Sequence, residues 1–424
     1  MKQTLLCLLA ISLLAAVLSF SHQTNNAPAP AVIITPSVKS RIDATLKGYI
    51  DQGKTVGVSA LIFEHGKEVY YNAFGMADRE ANRPMDRNTL VRIFSMTKPV
   101  TGVALMTLYE KGAFQLDEPL SKYCPEFKDM KVYKGVDANG NLITEPAKRP
   151  ITIRDITRHT AGFADNSIPA LASLVKQSDY MNLNNDLAEM AKRLAAIPLQ
   201  FHPGDQWNYG PSVDVQAYLV QKLSGRPYDQ YLQETLFRPL QMNHTRYVIP
   251  GADLDRFAAL YNRSPSGDLT RVPDSSANKM NAANWALKPG GWGLTSTLDD
   301  YMKFTQMLVN KGALGKTRIL KPQTVQLMST NQLSDTITQR MWLPSKGRVG
   351  FGINFAVRTQ PPANANENHG IVSEYFWDGA ASTLFWVDPV NELTAVFFTQ
   401  EIPFDPVKMH KGFRDAIYGV YGAK

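Results

Sequence analysis

Apolar residues recur at helical spacing over residues 36–54, at Val38, Ile42, Leu46 and Ile50, and predict an amphipathic helix. The pattern then becomes that of strands. Val58-Ser59-Ala60-Leu61-Ile62-Phe63 and Glu68-Val69-Tyr70-Tyr71-Asn72-Ala73-Phe74 flank His65-Gly66, which predicts a hairpin. A further apolar run, Leu90-Val91-Arg92-Ile93-Phe94, leads into Pro99-Val100-Thr101-Gly102-Val103-Ala104-Leu105-Met106, with Leu108 on the same stripe. A helix is predicted there with Pro99 in its first turn, where N–H groups have no intrahelical partner. From about residue 115 to 280 helical patches and long polar loops predominate, with little strand character. Strand patterns return at residues 349–357, 383–387 and 393–399, with Asp388-Pro389-Val390-Asn391 as a turn, and a last helix follows Pro406.

Strands, then helices, then strands again predict an α+β fold. Its antiparallel sheet is built from N- and C-terminal strands and flanked by helices, and a mostly helical subdomain is inserted at about residues 115–280. The order is not βαβαβ, so a doubly wound sheet is not expected, and no internal repeat is present.

The N-terminus adds a processing signal. Lys2 precedes an apolar run over residues 5–20, and Ser19 and Ser21 are small enough for cleavage after Ser21. The expected division is a signal peptide at 1–21, a flexible linker at 22–34 and a catalytic domain at 35–424. Export implies a periplasmic or secreted protein. The apolar run is shorter than the ~20 residues of a spanning helix, so no stable membrane span is expected after cleavage; retention as an anchor is the alternative. Cleavage removes Cys7 and leaves Cys124 alone, which excludes an intramolecular disulfide.

The formal charge of 45 − 38 = +7 becomes 44 − 38 = +6 without Lys2. No dense Lys/Arg block interleaves with aromatic residues, so nucleic acid is not an expected partner. A hydrophobic share of 44% with 20% charged residues is that of a soluble globular protein.

The chemistry enters with Ser95-Met96-Thr97-Lys98. On a helix, positions i and i+3 share a face, and a hydroxyl becomes a nucleophile when a neighbouring amine takes its proton. The spacing recurs at Ser173/Lys176, in an ordinary helical pattern, and at Ser276/Lys279, in a polar stretch that reads as loop. The seven histidines form no metal-ligand spacing, so no metal or other cofactor is expected. Gly-x-Ser-x-Gly is absent, and Gly315-Lys316-Thr317 lacks the earlier glycine of a phosphate loop, Asn310 standing there.

A serine–lysine site needs a second proton carrier, an oxyanion hole and a substrate wall. Tyr209 follows the Pro203-Gly204 turn and precedes a helix at residues 215–223. Gly379, Ala380 and Ala381 follow Trp377-Asp378 and would let a substrate approach a strand backbone. Each segment also has a plainer reading: Ser95 as a helix N-cap, Tyr209 as a half-buried tyrosine, and residues 379–381 as a bulge at a sheet edge.

Together these segments resemble the class C β-lactamase-like serine hydrolases, especially their esterase branch, over about residues 37–421. Phe94-Ser95-Met96-Thr97-Lys98-Pro99 is similar to the nucleophile motif and Arg158-His159-Thr160-Ala161-Gly162 to the His-Thr-(Ser/Ala)-Gly segment. Pro203-Gly204 with Tyr209 resembles the tyrosine motif. Gly290-Gly291-Trp292-Gly293-Leu294 resembles the glycine-rich turn, and Trp377-Asp378-Gly379 stands where β-lactamases carry Lys-Thr-Gly. The resemblance implies Ser95 as acylated nucleophile, Lys98 and Tyr209 as proton-transfer pair, and the N–H groups of Ser95 and Ala380 as oxyanion hole. It implies substrate contacts from Trp377, Asp378 and Gly379, and structural roles for His159 and the Gly290 turn.

Two positions depart from the β-lactamases. Pro211 replaces the asparagine that touches the substrate amide, with Ser212 as its candidate substitute. Trp377 and Asp378 occupy the stretch that carries a carboxylate-binding lysine, so like-charge repulsion by Asp378 is expected to turn acidic substrates away. The implied partner is a small acyl compound, and the implied reaction is hydrolysis of carboxylic esters. A β-lactamase, a D-Ala-D-Ala carboxypeptidase, an acyltransferase or an amidase would use the same acyl-enzyme. A non-catalytic envelope binding protein is the alternative of another class. The oligomeric state is left open.

Overall fold

In the computed structural model, which describes residues 32–423, the hairpin at His65-Gly66 forms as the pattern predicts. The expected signal at 1–21 and most of the linker at 22–34 lie outside the described residues. The Ile33 N–H already donates to Glu64 Oε1 at 2.6 Å. Strands β1 (Gly57–Glu64) and β2 (Lys67–Asp78) pair antiparallel, and both turn residues have positive φ, 52° and 72°. That two-residue geometry matches the twist of the strands it joins.

The other edge of β1 pairs with a strand more than three hundred residues away in sequence. After β3 (Arg83–Pro84), the C-terminal part contributes β4 (Val349–Phe351), β5 (Ala356–Arg358), β6 (Tyr375–Asp378), β7 (Leu384–Asp388) and β8 (Leu393–Phe398). The sheet order is β4-β5-β6-β7-β8-β1-β2-β3, with every pairing antiparallel. All residues of β6, β7 and β8 are buried, which is why their sequences run apolar instead of alternating.

Helix α1 (Pro36–Asp51) packs on β1 and β2, burying Val38, Ile42, Leu46 and Tyr49. Tyr49 takes the place expected for Ile50, which is only partly buried, because the Tyr49 hydroxyl reaches across to donate to Met409 O at 3.0 Å. Helix α2 (Thr97–Glu110) is buried from Thr97 to Leu108. Helix α3 (Ser212–Ser224) packs against α2, while α4 (Leu298–Val309) covers β1, β7 and β8. The last helix, α5 (Met409–Tyr418), returns to α1.

Several polar ties fix the first turn of α2. The Tyr301 hydroxyl donates to Met96 O at 2.9 Å, and Thr101 Oγ1 donates to Gly290 O at 2.6 Å. Asn354 Nδ2 donates to Lys98 O at 3.0 Å while its amide pairs with that of Gln216. Gly102 makes room for this: a Cβ there would lie 2.8 Å from Asn354 Nδ2. The close approach explains a glycine inside a helix, where it costs about 1 kcal/mol relative to alanine.

The insert contains a hairpin that the sequence reading lacks, Lys131–Val136 against Leu142–Pro146. Its strands are mostly exposed and carry charges, so no apolar alternation marks them. Asp137 Oδ1 closes the turn by accepting from the N–H groups of Asn139 and Asn141, each at 2.8 Å. Ser276 lies in a short helix, Asp274–Ala277, where a loop was expected, since Pro273 supplies a fixed φ at its start. No helix among the described residues is long and apolar enough to cross a membrane.

Candidate active site

Ser95 sits in a tight turn, Phe94–Met96, between a short strand and α2. That strand, Val91–Arg92, pairs with Thr295–Ser296, and Ile93 N–H donates to Leu294 O at 3.1 Å. Phe94 has φ 43°, a left-handed conformation that costs a bulky residue about 1–3 kcal/mol. The strain lies directly before the candidate nucleophile.

Lys98 is 5% exposed. Its Nζ donates to Ser95 Oγ at 3.2 Å and to Gly291 O at 2.8 Å, and lies 4.4 Å from the centre of the Tyr209 ring. On the far side of Gly291 is the buried Asp214, whose Oδ1 accepts the Gly291 N–H at 2.9 Å. A Cβ on Gly291 would lie 3.2 Å from Lys98 Nζ and from both Asp214 oxygens, a tight fit that would press on both side chains. Burial raises the Asp214 carboxyl, while the Lys98 charge and backbone N–H groups oppose the rise.

Tyr209 is half-buried, and Trp377 Nε1 donates to its hydroxyl at 3.3 Å. Its ring packs among His159 at 4.8 Å, Trp342 at 5.1 Å and Trp377 at 5.5 Å, centre to centre. Such contacts hold a ring in one orientation. Thus His159 and the Gly290 turn, expected to be only structural, touch Tyr209 and Lys98 respectively.

His159 has both ring nitrogens buried without hydrogen-bond partners. Burial, then the Lys98 charge, pushes its pKa well below the ordinary 6.5, so the folded ring stays neutral. Below pH 6.5 the unfolded chain takes up a proton that the folded chain refuses. Stability is therefore lost as pH falls through that value, by up to about 1.4 kcal/mol per pH unit. Urea midpoints at pH 7.5 and 5.5 are expected to fall further for the wild type than for His159→Phe. Equal falls would remove His159 from the pH response.

Ser95, Tyr209, Trp342, Ser345, Lys346, Asp378, Ala380 and Phe404 line one cleft of about 400 Å³. Among the described residues, the N–H groups of Ser95 and Ala380 find no acceptor, so both are free for an oxyanion. The sequence pattern left Asp378 unbalanced, but Lys346 pairs with it, and both side chains are buried. The ion pair cancels the charge from which repulsion of acidic substrates was expected.

The other expected contact residues do not line the cleft. Trp377 is buried behind Tyr209. Gly379 faces the chain leading to Ser95: a Cβ there would lie 2.5 Å from Ile93 O and 2.3 Å from Thr383 Oγ1. Ser212 is buried at the start of α3. The sequence reading missed Lys346, Trp342, Phe404, Asp214 and the Gly291 carbonyl. Lys346 ends a short 3-10 turn, Leu343–Lys346, 32 residues before its partner, and no local pattern connects them.

Cys124 is no rival nucleophile, because burial pushes its thiol up to about 12. Ser173 is exposed on its helix and donates to Pro169 O. Among the described residues no three His, Cys, Asp or Glu side chains converge as a metal site.

The family model Beta-lactamase matches residues 42–416. The chain is 32% identical to Protein Rv1367c of Mycobacterium tuberculosis, covering 85% of this chain and 89% of that protein. It is 28% identical to Esterase EstB of Burkholderia gladioli, covering 90% and 95% respectively. The solved structure of EstCE1, a hydrolase with promiscuous acyltransferase activity, aligns with a TM-score of 0.74 at 25% identity, over 90% of this chain and 99% of that one.

Proposed function

The chain belongs to the beta-lactamase family, and on that premise we propose that it hydrolyses carboxylic esters through an acyl-enzyme on Ser95, with Lys98 and Tyr209 moving the protons. It is a serine hydrolase, as its family and its esterase relatives support. The observation that carries the finer reading is the convergence on Lys98 Nζ. Ser95 Oγ lies 3.2 Å away and the Tyr209 ring 4.4 Å away, and Ser95 and Tyr209 open on the same cleft.

Ser95 Oγ attacks the ester carbonyl while the free-amine form of Lys98 accepts its proton. Negative charge on the carbonyl oxygen is held by the N–H groups of Ser95 and Ala380. The Tyr209 hydroxyl gives a proton to the departing alkoxide and is recharged from Lys98. Water then attacks the acyl carbon and loses a proton to the same pair, which passes that proton to Ser95 Oγ as the acid departs.

Esters are favoured over lactams by two features. Lys346 is already paired with Asp378, so it is no free cation for a substrate carboxylate. Pro211 offers no side-chain donor to a substrate amide. For the purified protein, kcat/KM is expected to be higher for p-nitrophenyl butyrate than for a chromogenic cephalosporin; the reverse ranking would sink the substrate assignment. Acyl transfer to an alcohol in place of water is the second reading, supported by the acyltransferase activity ascribed to EstCE1.

A further inference from the structure

A second cavity, of about 340 Å³, has Phe94, the chain neighbour of Ser95, in its wall and takes no part in the chemistry above. Phe94, Met181, Leu183, Val272, Met280 and Trp292 form its apolar walls. Each of these six is only half-buried, so one place on the surface leaves six large apolar faces open. Scattered exposed apolar residues need no explanation, but a concave cluster of them marks a binding site.

The one charged group buried in its wall does not ask for an anion. Arg92 Nε donates to Ala277 O at 2.9 Å, Nη1 donates to Ala258 O at 2.9 Å, and Nη2 bonds Asn278. Its guanidinium also lies 3.9 Å from the centre of the Phe257 ring. The ligand that fits is therefore hydrocarbon.

Two walls of this pocket are chain neighbours of the reacting groups. Phe94 directly precedes Ser95, so their α carbons are about 3.8 Å apart. Trp292 directly follows Gly291, whose carbonyl accepts from Lys98. Adjacent residues thus line different cavities: Ser95 the cleft with the Lys346–Asp378 pair, Phe94 the apolar pocket. An ester carbonyl placed at Ser95 has two substituents to accommodate; the cleft carries the Lys346–Asp378 pair, whereas the wall of the pocket next to Ser95 in the chain is the Phe94 ring.

Resting on the ester-hydrolase reading, we propose that the pocket between Phe94 and Trp292 holds the acyl chain, and that the enzyme prefers esters of medium-length aliphatic acids. The alcohol occupies the cleft beside the Lys346–Asp378 pair and leaves through it. At about 30 Å³ for a water-sized group, the pocket accommodates at most roughly eleven carbons. Each methylene that enters should raise kcat/KM about fourfold until the pocket is full.

The test uses two substrate series with the wild type, Val272→Trp and Leu183→Ala. One series is p-nitrophenyl esters from acetate to palmitate; the other is acetates of graded alcohols. The wild type is expected to peak near octanoate. Val272→Trp should lower the octanoate-to-acetate ratio of kcat/KM at least tenfold, and Leu183→Ala should move the peak to longer chains. The ranking of alcohols should hold in all three proteins. An unchanged acyl preference in both variants, or a shift in the alcohol series instead, overturns the pocket assignment alone. Absence of turnover of every ester by the wild type overturns the ester-hydrolase reading and this inference with it.

Discussion

Ser95→Ala is expected to lower kcat for any ester by at least about 10⁴-fold, the scale of loss when a serine hydrolase loses its nucleophile. The hydroxyl accepts from Lys98 Nζ at 3.2 Å and opens on the cleft proposed to take the ester carbonyl. The substitution should leave the fold intact. Ser95 is half-buried, and Lys98 keeps its bond to Gly291 O at 2.8 Å. The melting temperature should therefore stay within a few degrees of the wild type while turnover is lost. A variant that folds and retains more than a hundredth of the wild-type kcat would exclude Ser95 as nucleophile, because neither Ser173 nor Ser276 has a buried lysine against its hydroxyl.

The second large effect is expected at Lys98 and Tyr209. Each should cost about 10²–10⁴-fold in kcat, the usual range for general acid–base groups. The two variants differ in what they leave behind. Lys98→Ala strips the Gly291 carbonyl of its donor, a loss of about 1–3 kcal/mol in stability for an unmet buried acceptor. Tyr209→Phe keeps the ring between His159, Trp342 and Trp377 and removes only the acceptor of the Trp377 Nε1–H. If both serve one proton-transfer unit, the double variant should be little slower than the poorer single. A cycle on kcat with one ester decides this. Additive losses would mean separate roles, and near-normal turnover in Tyr209→Phe would leave Lys98 as the sole base.

The parts of this site that sequence revealed are those joined by local geometry. Ser95 and Lys98 are three residues apart on one helix face, so their contact is implied by helical spacing alone. The sheet was legible where β1, β2, β7 and β8 carry strand patterns with turn residues between them; the short β6 was not read as a strand, and the run at 349–357 divides into β4 and β5. Tyr209 is 111 residues beyond Lys98, and only the order of several motifs along the chain linked it to the site. Lys346 was invisible because a loop lysine becomes the partner of Asp378 only when the 343–346 turn folds over the cleft. Asp214 reads as an ordinary acidic residue in the first turn of α3; its burial against Gly291 is a tertiary fact. The strain at Phe94 is likewise absent from the sequence, since phenylalanine has no preference for positive φ.

Covalent labelling with a fluorophosphonate, read by intact-protein and peptide mass spectrometry, reports on Ser95 most directly. One adduct per chain is expected, mapped to Ser95, absent from Ser95→Ala, and formed in step with the loss of ester hydrolysis. An adduct on Ser173 or Ser276, or ester turnover that persists after Ser95 is fully labelled, would contradict an acyl-enzyme at this residue.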